Sequence, residues 1–215
     1  MRGDEARICL RTLTQPEPAD TMRAMASYEP RTRRLSRAEY DRLIELGVFQ
    51  PGERLELLDR ALVVREPQGS RHAAAIRKVL AALRGALGET WQIDSLALSL
   101  DDVSQPEPDV CVVPRAPDAY RDAHPSRAVV VVEIAETSYR TDGEYKLGLY
   151  ARAEIAECWL IDVVDERVEI HRKPEASPGA AYGWRYRSVE TLRPPAEIVP
   201  RVDRHARIRV ADLLP

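Results

Sequence analysis

The chain has 215 residues, 44% hydrophobic and 31% charged, a globular mixture long enough to bury a core without disulfide staples. A net charge of −3 excludes a protein that coats nucleic acid by bulk charge, but leaves room for a local basic cleft. The longest apolar run, around Val129–Val132, is too short to span a bilayer; Cys9, Cys111 and Cys158 have neither metal nor disulfide-framework spacing; and the segment from Met1 to Glu5 has no secretory character, so a cytoplasmic protein without membrane contact is expected.

Residues 1–30 show no sustained period and contain Gln15-Pro16-Glu17-Pro18, which reads as a poorly ordered extension ahead of a domain over 31–215. Ser36-Arg37-Ala38-Glu39 fits a capping box, and Tyr40, Leu43, Ile44 and Gly47 complete a short helix. Arg54–Leu58 and Ala61–Arg65 predict a tight hairpin about Asp59-Arg60, a turn without the usual glycine. A long helix follows over about Arg71–Leu87, with Ala74, Ile76, Val79, Leu80, Leu83 and Leu87 on its apolar face and Gly88 at its end. Alternation predicts a strand over Trp91–Leu100. Pro106-Glu107-Pro108 then breaks the chain before a strand at Asp109–Val113. Val129–Ile134 reads as a strand buried on both faces, Asp142–Ala153 as a helix with Leu147, Leu149, Tyr150 and Ala153 inward, and Cys158–Asp162 as another buried strand. Arg167–Arg172 pairs back as a hairpin, Trp184–Val189 adds an outer strand, and Ile208–Leu214 closes the domain. Helix, three strands, helix and strand in that order, with further strands at both ends, predict an α/β or α+β domain on a mixed sheet.

Two carboxylates stand out because ionised acids are seldom buried without a partner: Asp109 opens an apolar strand after Pro108, and Glu133 interrupts the valine run. On neighbouring strands they would form an oxygen-rich site for Mg²⁺ or Mn²⁺; solvated strand-end acids, or acids bridged to arginines, fit the same spacing. Lys146, early in the next helix, either reaches that sheet end or is an ordinary exposed lysine. Asp142 reads as a capping residue and His72 as a capping or surface histidine. Arg31, Arg33, Arg34 and Arg37 read as a solvated basic face, with nucleic-acid contact the lesser reading. No zinc-hydrolase, nucleotide-binding glycine-rich or serine-hydrolase pattern occurs.

Six pieces occur in order: Leu55-Glu56-Leu57-Leu58-Asp59, Ser70-Arg71-His72, Gln105-Pro106-Glu107-Pro108-Asp109-Val110, Val131-Val132-Glu133-Ile134, Asp142 to Ala151 with Lys146 and Tyr150, and Glu157-Cys158-Trp159-Leu160-Ile161-Asp162. Together they resemble the Uma family, whose members are assigned as restriction endonucleases within the PD-(D/E)XK nuclease superfamily, over roughly Leu35–Leu214. The resemblance implies a restriction-endonuclease-like core and hydrolysis of DNA phosphodiester bonds with Mg²⁺ (or Mn²⁺). It implies Asp109, Glu133 and Lys146 as catalytic residues. Asp109, Glu133, Glu56 and the Ile134 carbonyl would hold the metal, with His72 and Gln105 near the cleft. The superfamily's usual lysine falls two residues past the glutamate, where this chain has Ala135, and Lys146 matches the family's displaced lysine. Arg60 stands where a glycine is usual, Ala135-Glu136-Thr137-Ser138 replaces the commoner loop, and residues 1–30 have no counterpart. A homodimer is expected, since cutting a duplex needs two sites. The competing readings are a non-catalytic nucleic-acid-binding or assembly module on a nuclease fold, and a small-phosphoester hydrolase.

Overall fold

A computed structural model describes residues 33–65, 67–115, 120–136 and 144–215; the readings for residues 1–30, Asp142 and residues 137–138 lie outside these. Helix α1 (Arg37–Glu45) starts through the capping box: the Glu39 amide donates to Ser36 Oγ at 3.3 Å and the Ser36 amide to Glu39 Oε2 at 2.9 Å. Strands β1 (Leu55–Leu58) and β2 (Ala61–Val64) form the antiparallel hairpin. Asp59 and Arg60 both take positive φ, 46° and 75°, the left-handed pair that a type I′ turn requires. Without glycine this conformation is strained, and contacts from outside the hairpin hold it. The Asp59 amide donates to Ser104 Oγ, the Arg60 amide to the Val103 carbonyl, and Arg152 binds the Asp59 carboxylate at 2.7 Å.

Helix α2 (Ser70–Leu87) buries Ala75, Val79, Leu83 and Leu87, a stripe spaced by four; Ala74, Ile76 and Leu80 lie half-buried at its margins. Strand β3 (Trp91–Asp94) is shorter than the sequence predicts. The chain facing residues 95–100 is Pro106-Glu107-Pro108, whose prolines have no N–H for a ladder. Ser95 Oγ instead donates to the Asp109 carbonyl, and the Leu98 and Leu100 amides to the carbonyls of Pro106 and Ser104. Strands β4 (Val110–Pro114) and β5 (Val130–Ala135) follow, then α3 (Glu144–Arg152), β6 (Glu157–Asp162), β7 (Arg167–Ala176) and β8 (Trp184–Leu192). The last two run past the predicted ends at Arg172 and Val189. Short strands β9 (Glu197–Ile198) and β10 (Ile208–Arg209) pair in the C-terminal segment.

The main sheet has the order β3-β4-β5-β6-β7-β8, with β5 and β6 parallel and every other pair antiparallel. Side-chain alternation sends Val130, Val132 and Ile134 to the face covered by α2, and Val131 and Ala135 to the face covered by Leu147, Tyr150 and Ala151 of α3. Val210 and Leu213 from the C-terminal segment join the α2 face. Arg34–Pro215 form one compact unit. Among the described residues no helix is long and apolar enough to cross a membrane.

This topology fixes where a site can be. β3 starts where α2 ends and pairs its first residue with the last of β4, so the N-terminus of α2 and the start of β4 share the other end of the sheet. β4 and β5 are antiparallel, so the end of β5 lies there too, and the chain leaves β5 toward α3 from that same end.

Candidate active site

Asp109, at that shared end, is almost wholly buried. Its Oδ2 accepts the Ile134 amide at 2.8 Å, tying the start of β4 to the end of β5. Its Oδ1 accepts from Arg65 at 3.2 Å and from Gln68 at 3.0 Å. His72 Nε2 also lies 3.0 Å from Oδ1, off the line of a directed hydrogen bond. Burial works to raise the Asp109 pKa, but His72, the Ile134 amide and Arg65 outweigh it and hold the carboxyl below its usual range.

Glu133 shares its face with Val131 and Ala135 and so points toward α3. There Lys146 and Tyr150, one helical turn apart, both reach it. Tyr150 donates its hydroxyl to Glu133 Oε1 at 2.5 Å, and Lys146 Nζ lies 3.3 Å from the same oxygen. Burial pushes the Glu133 pKa up to about 7; Lys146 and Tyr150 pull it down, while Asp109 and Glu56 add to the rise. Two neighbouring carboxylates are thus driven in opposite directions, a common feature of sites that do acid–base or metal chemistry.

Glu56, on β1, is 1% exposed. Lys146 donates to its Oε1 at 2.8 Å, and Arg65 Nε lies 3.0 Å from the same atom; Oε2 is buried with no hydrogen-bond partner. Burial lowers the Lys146 pKa, but Glu133 and Glu56 more than offset it, so the ammonium stays charged. Arg65 also reaches Glu107 at 3.1 Å, and Glu107 stands at the solvent rim. Ile134 adds a backbone oxygen. Extending the Val110–Val132 register by two residues sets Pro108 opposite Ile134, and proline has no N–H to offer the Ile134 carbonyl. That carbonyl lies on the same flank of β5 as the amide that Asp109 accepts.

The structure therefore gathers Asp109, Glu133, Lys146, Glu56, Ile134 and His72 at one sheet end. His72 is mostly buried against Asp109 rather than facing solvent, and Lys146 is buried rather than an exposed helix lysine. Gln105 plays a different part. Its amide donates to the Leu57 carbonyl and its Oε1 accepts from Ser99, bracing the 98–105 loop against β1.

Residues 37–203 match the Uma2 family, described as "Putative restriction endonuclease". The chain belongs to the Uma2 family. No curated protein matches it. Among solved structures the chain is similar to a protein from Anabaena variabilis ATCC 29413 described as "a putative nuclease belonging to DUF820", with TM-score 0.60 and 16% identity over 79% of this chain and 94% of that one. At that identity the likeness concerns the fold, and it agrees with the mixed sheet and flanking helices expected from the sequence.

For a Uma2 member the question is whether these residues suit a metal ion. Among the described residues no group of three or more His, Cys, Asp and Glu side chains is arranged to hold one. The carboxylate oxygens turn instead toward Arg65, Gln68, Lys146 and Tyr150. The donor chemistry nevertheless fits a hard divalent cation: two carboxylates, a backbone carbonyl outside the ladder, and the unpartnered Glu56 Oε2, with no sulfur among them.

Arg65, Gln68 and Tyr150 were not legible as site residues. Arg65 reads as the polar end of a strand, and Tyr150 as a core position of an amphipathic helix. The available signal for Tyr150 is its i+4 spacing from Lys146.

Proposed function

We propose that this protein is a Mg²⁺- or Mn²⁺-dependent DNA endonuclease of the cytoplasm, acting as a homodimer, with Asp109, Glu133 and Lys146 as its catalytic residues. The observation that supports this most is the meeting of an ionised carboxylate, a second carboxylate that burial disfavours as an anion, and a buried ammonium at one sheet end. Asp109, Glu133 and the Ile134 carbonyl would hold the ion, with Glu56 beside them. A divalent ion there would offset charge growing on the phosphate and make a water a better nucleophile. Lys146 Nζ, steadied by Glu56 Oε1 and Glu133 Oε1, would orient that water or the phosphate oxygen. Tyr150 holds Glu133 Oε1 in place, and the Ile134 amide holds Asp109 Oδ2.

Purified protein incubated with supercoiled plasmid and with linear DNA, plus Mg²⁺ or Mn²⁺, is expected to nick and then linearise the plasmid, with cleavage abolished by EDTA. The ion pairs already formed by Arg65 and Lys146 favour a second reading, a non-catalytic nucleic-acid-binding or assembly module. DNA binding without cleavage under any divalent ion would establish that reading instead.

A further inference from the structure

The metal-site reading leaves Arg65 unused, although it is the most heavily engaged cation of the cluster. Its guanidinium takes carboxylates from three segments: Glu56 on β1 at 3.0 Å, Asp109 before β4 at 3.2 Å and Glu107 at the rim at 3.1 Å. Its side chain is 13% exposed. A second divalent ion in this site would compete with Arg65 for Glu56 Oε1 and Asp109 Oδ1.

Charge counting points the same way. Glu56, Asp109 and Glu133 bring three negative charges into the buried region, and Arg65 and Lys146 bring two positive ones; Glu107, at the solvent rim, and His72 stand outside this set. One divalent ion together with the single negative charge of a bound phosphodiester brings this set to neutrality. A second divalent ion would leave two uncompensated positive charges where unpaired charge is costly. Without the guanidinium, that excess falls to one, and Glu56 Oε1 and Asp109 Oδ1 each lose a competing cation, keeping Lys146 and Gln68 as partners.

Resting on the reading of this cluster as a metal site, we propose that Arg65 limits the site to one divalent cation by occupying, with its own charge, the ligands a second ion would need. The consequence is chemistry with a single metal ion, in which Lys146 and Arg65 serve where a second ion acts in two-metal sites.

Mn²⁺ titration calorimetry on the full chain at mildly alkaline pH tests this. Wild type is expected to bind one Mn²⁺ per chain, Arg65→Gln two, and Arg65→Lys, which keeps the charge, one. Circular dichroism checks that each variant is folded. Two ions per wild-type chain, or one per folded Arg65→Gln chain, would overturn the role of Arg65 while leaving the metal site standing. Absence of Mn²⁺ binding in wild type and in both variants would overturn the metal site itself, and the role of Arg65 with it. If Arg65→Gln does not fold, electron paramagnetic resonance of wild type saturated with Mn²⁺ decides: a mononuclear signal is expected, and an exchange-coupled pair would overturn the proposal.

Discussion

Lys146 lies between Glu56 Oε1 and Glu133 Oε1, and all three side chains are buried. Removing the ammonium leaves Glu133 without its cation and Glu56 with Arg65 alone, and breaking a buried charge group in this way costs about 3–5 kcal/mol. Lys146→Met is therefore expected both to abolish cleavage and to lower the melting temperature by roughly 10 °C, at about 2–4 °C per kcal/mol for a chain of this size. A thermal unfolding curve that superimposes on wild type would show that the ammonium carries no structural load. The carboxylates of this cluster were legible because an acid inside an apolar run is an anomaly with few explanations. Asp109 and Glu133 stand out that way, whereas Lys146 gained its place only through the family resemblance. Arg65 and Gln68 were not legible, because a polar residue at a strand end or in a loop is ordinary, and only the folded hairpin brings them to Asp109.

Element boundaries show where local pattern yields to tertiary contact. The Asp59-Arg60 turn forms without glycine because Ser104, Val103 and Arg152 hold it, and none of them is local. β3 stops at Asp94, although its alternation continues, because prolines face the next stretch. Two helical glycines give opposite expectations. A Cβ at Gly148 in α3 would press on the Ala181 carbonyl oxygen, so the segment around Ala181, between β7 and β8, must shift. Overpacking of this kind costs about 1–3 kcal/mol, set against the roughly 1 kcal/mol that alanine gains over glycine in a helix. A Cβ at Gly85 in α2 meets nothing within 4 Å. Gly148→Ala is expected to lower the midpoint of urea unfolding and Gly85→Ala to raise it, the latter by roughly 0.5–1 kcal/mol of stability. A rise for both would mean that the Ala181 segment moves aside without cost.

At the scale of the whole molecule, the order helix, three strands, helix, strand determines the site, because antiparallel β4 and β5 and the departure of the chain toward α3 bring separate segments to one end. That order was legible from hydrophobic patterning together with the glycine and proline breaks, such as Gly88 and Pro106-Glu107-Pro108. The hairpin's position over the site was not, since it depends on the Leu57–Gln105 bridge, a contact between residues far apart in sequence. At that end of the sheet Glu133 is the residue on which the proposed chemistry depends most. Replacing it with glutamine keeps its shape and removes the charge that would hold the ion, while Lys146 keeps Glu56 as partner. Because burial already disfavours the anion at position 133, the neutral amide is tolerated. The decisive measurement is plasmid cleavage by Glu133→Gln beside wild type, both in Mg²⁺ or Mn²⁺ and both checked by thermal unfolding. Cleavage is expected to fall by roughly 100-fold or more, since even outer partners of a metal are worth about 10–100-fold, with a melting temperature close to or above that of wild type. Cleavage by the variant at the wild-type rate would contradict the assignment of the active site.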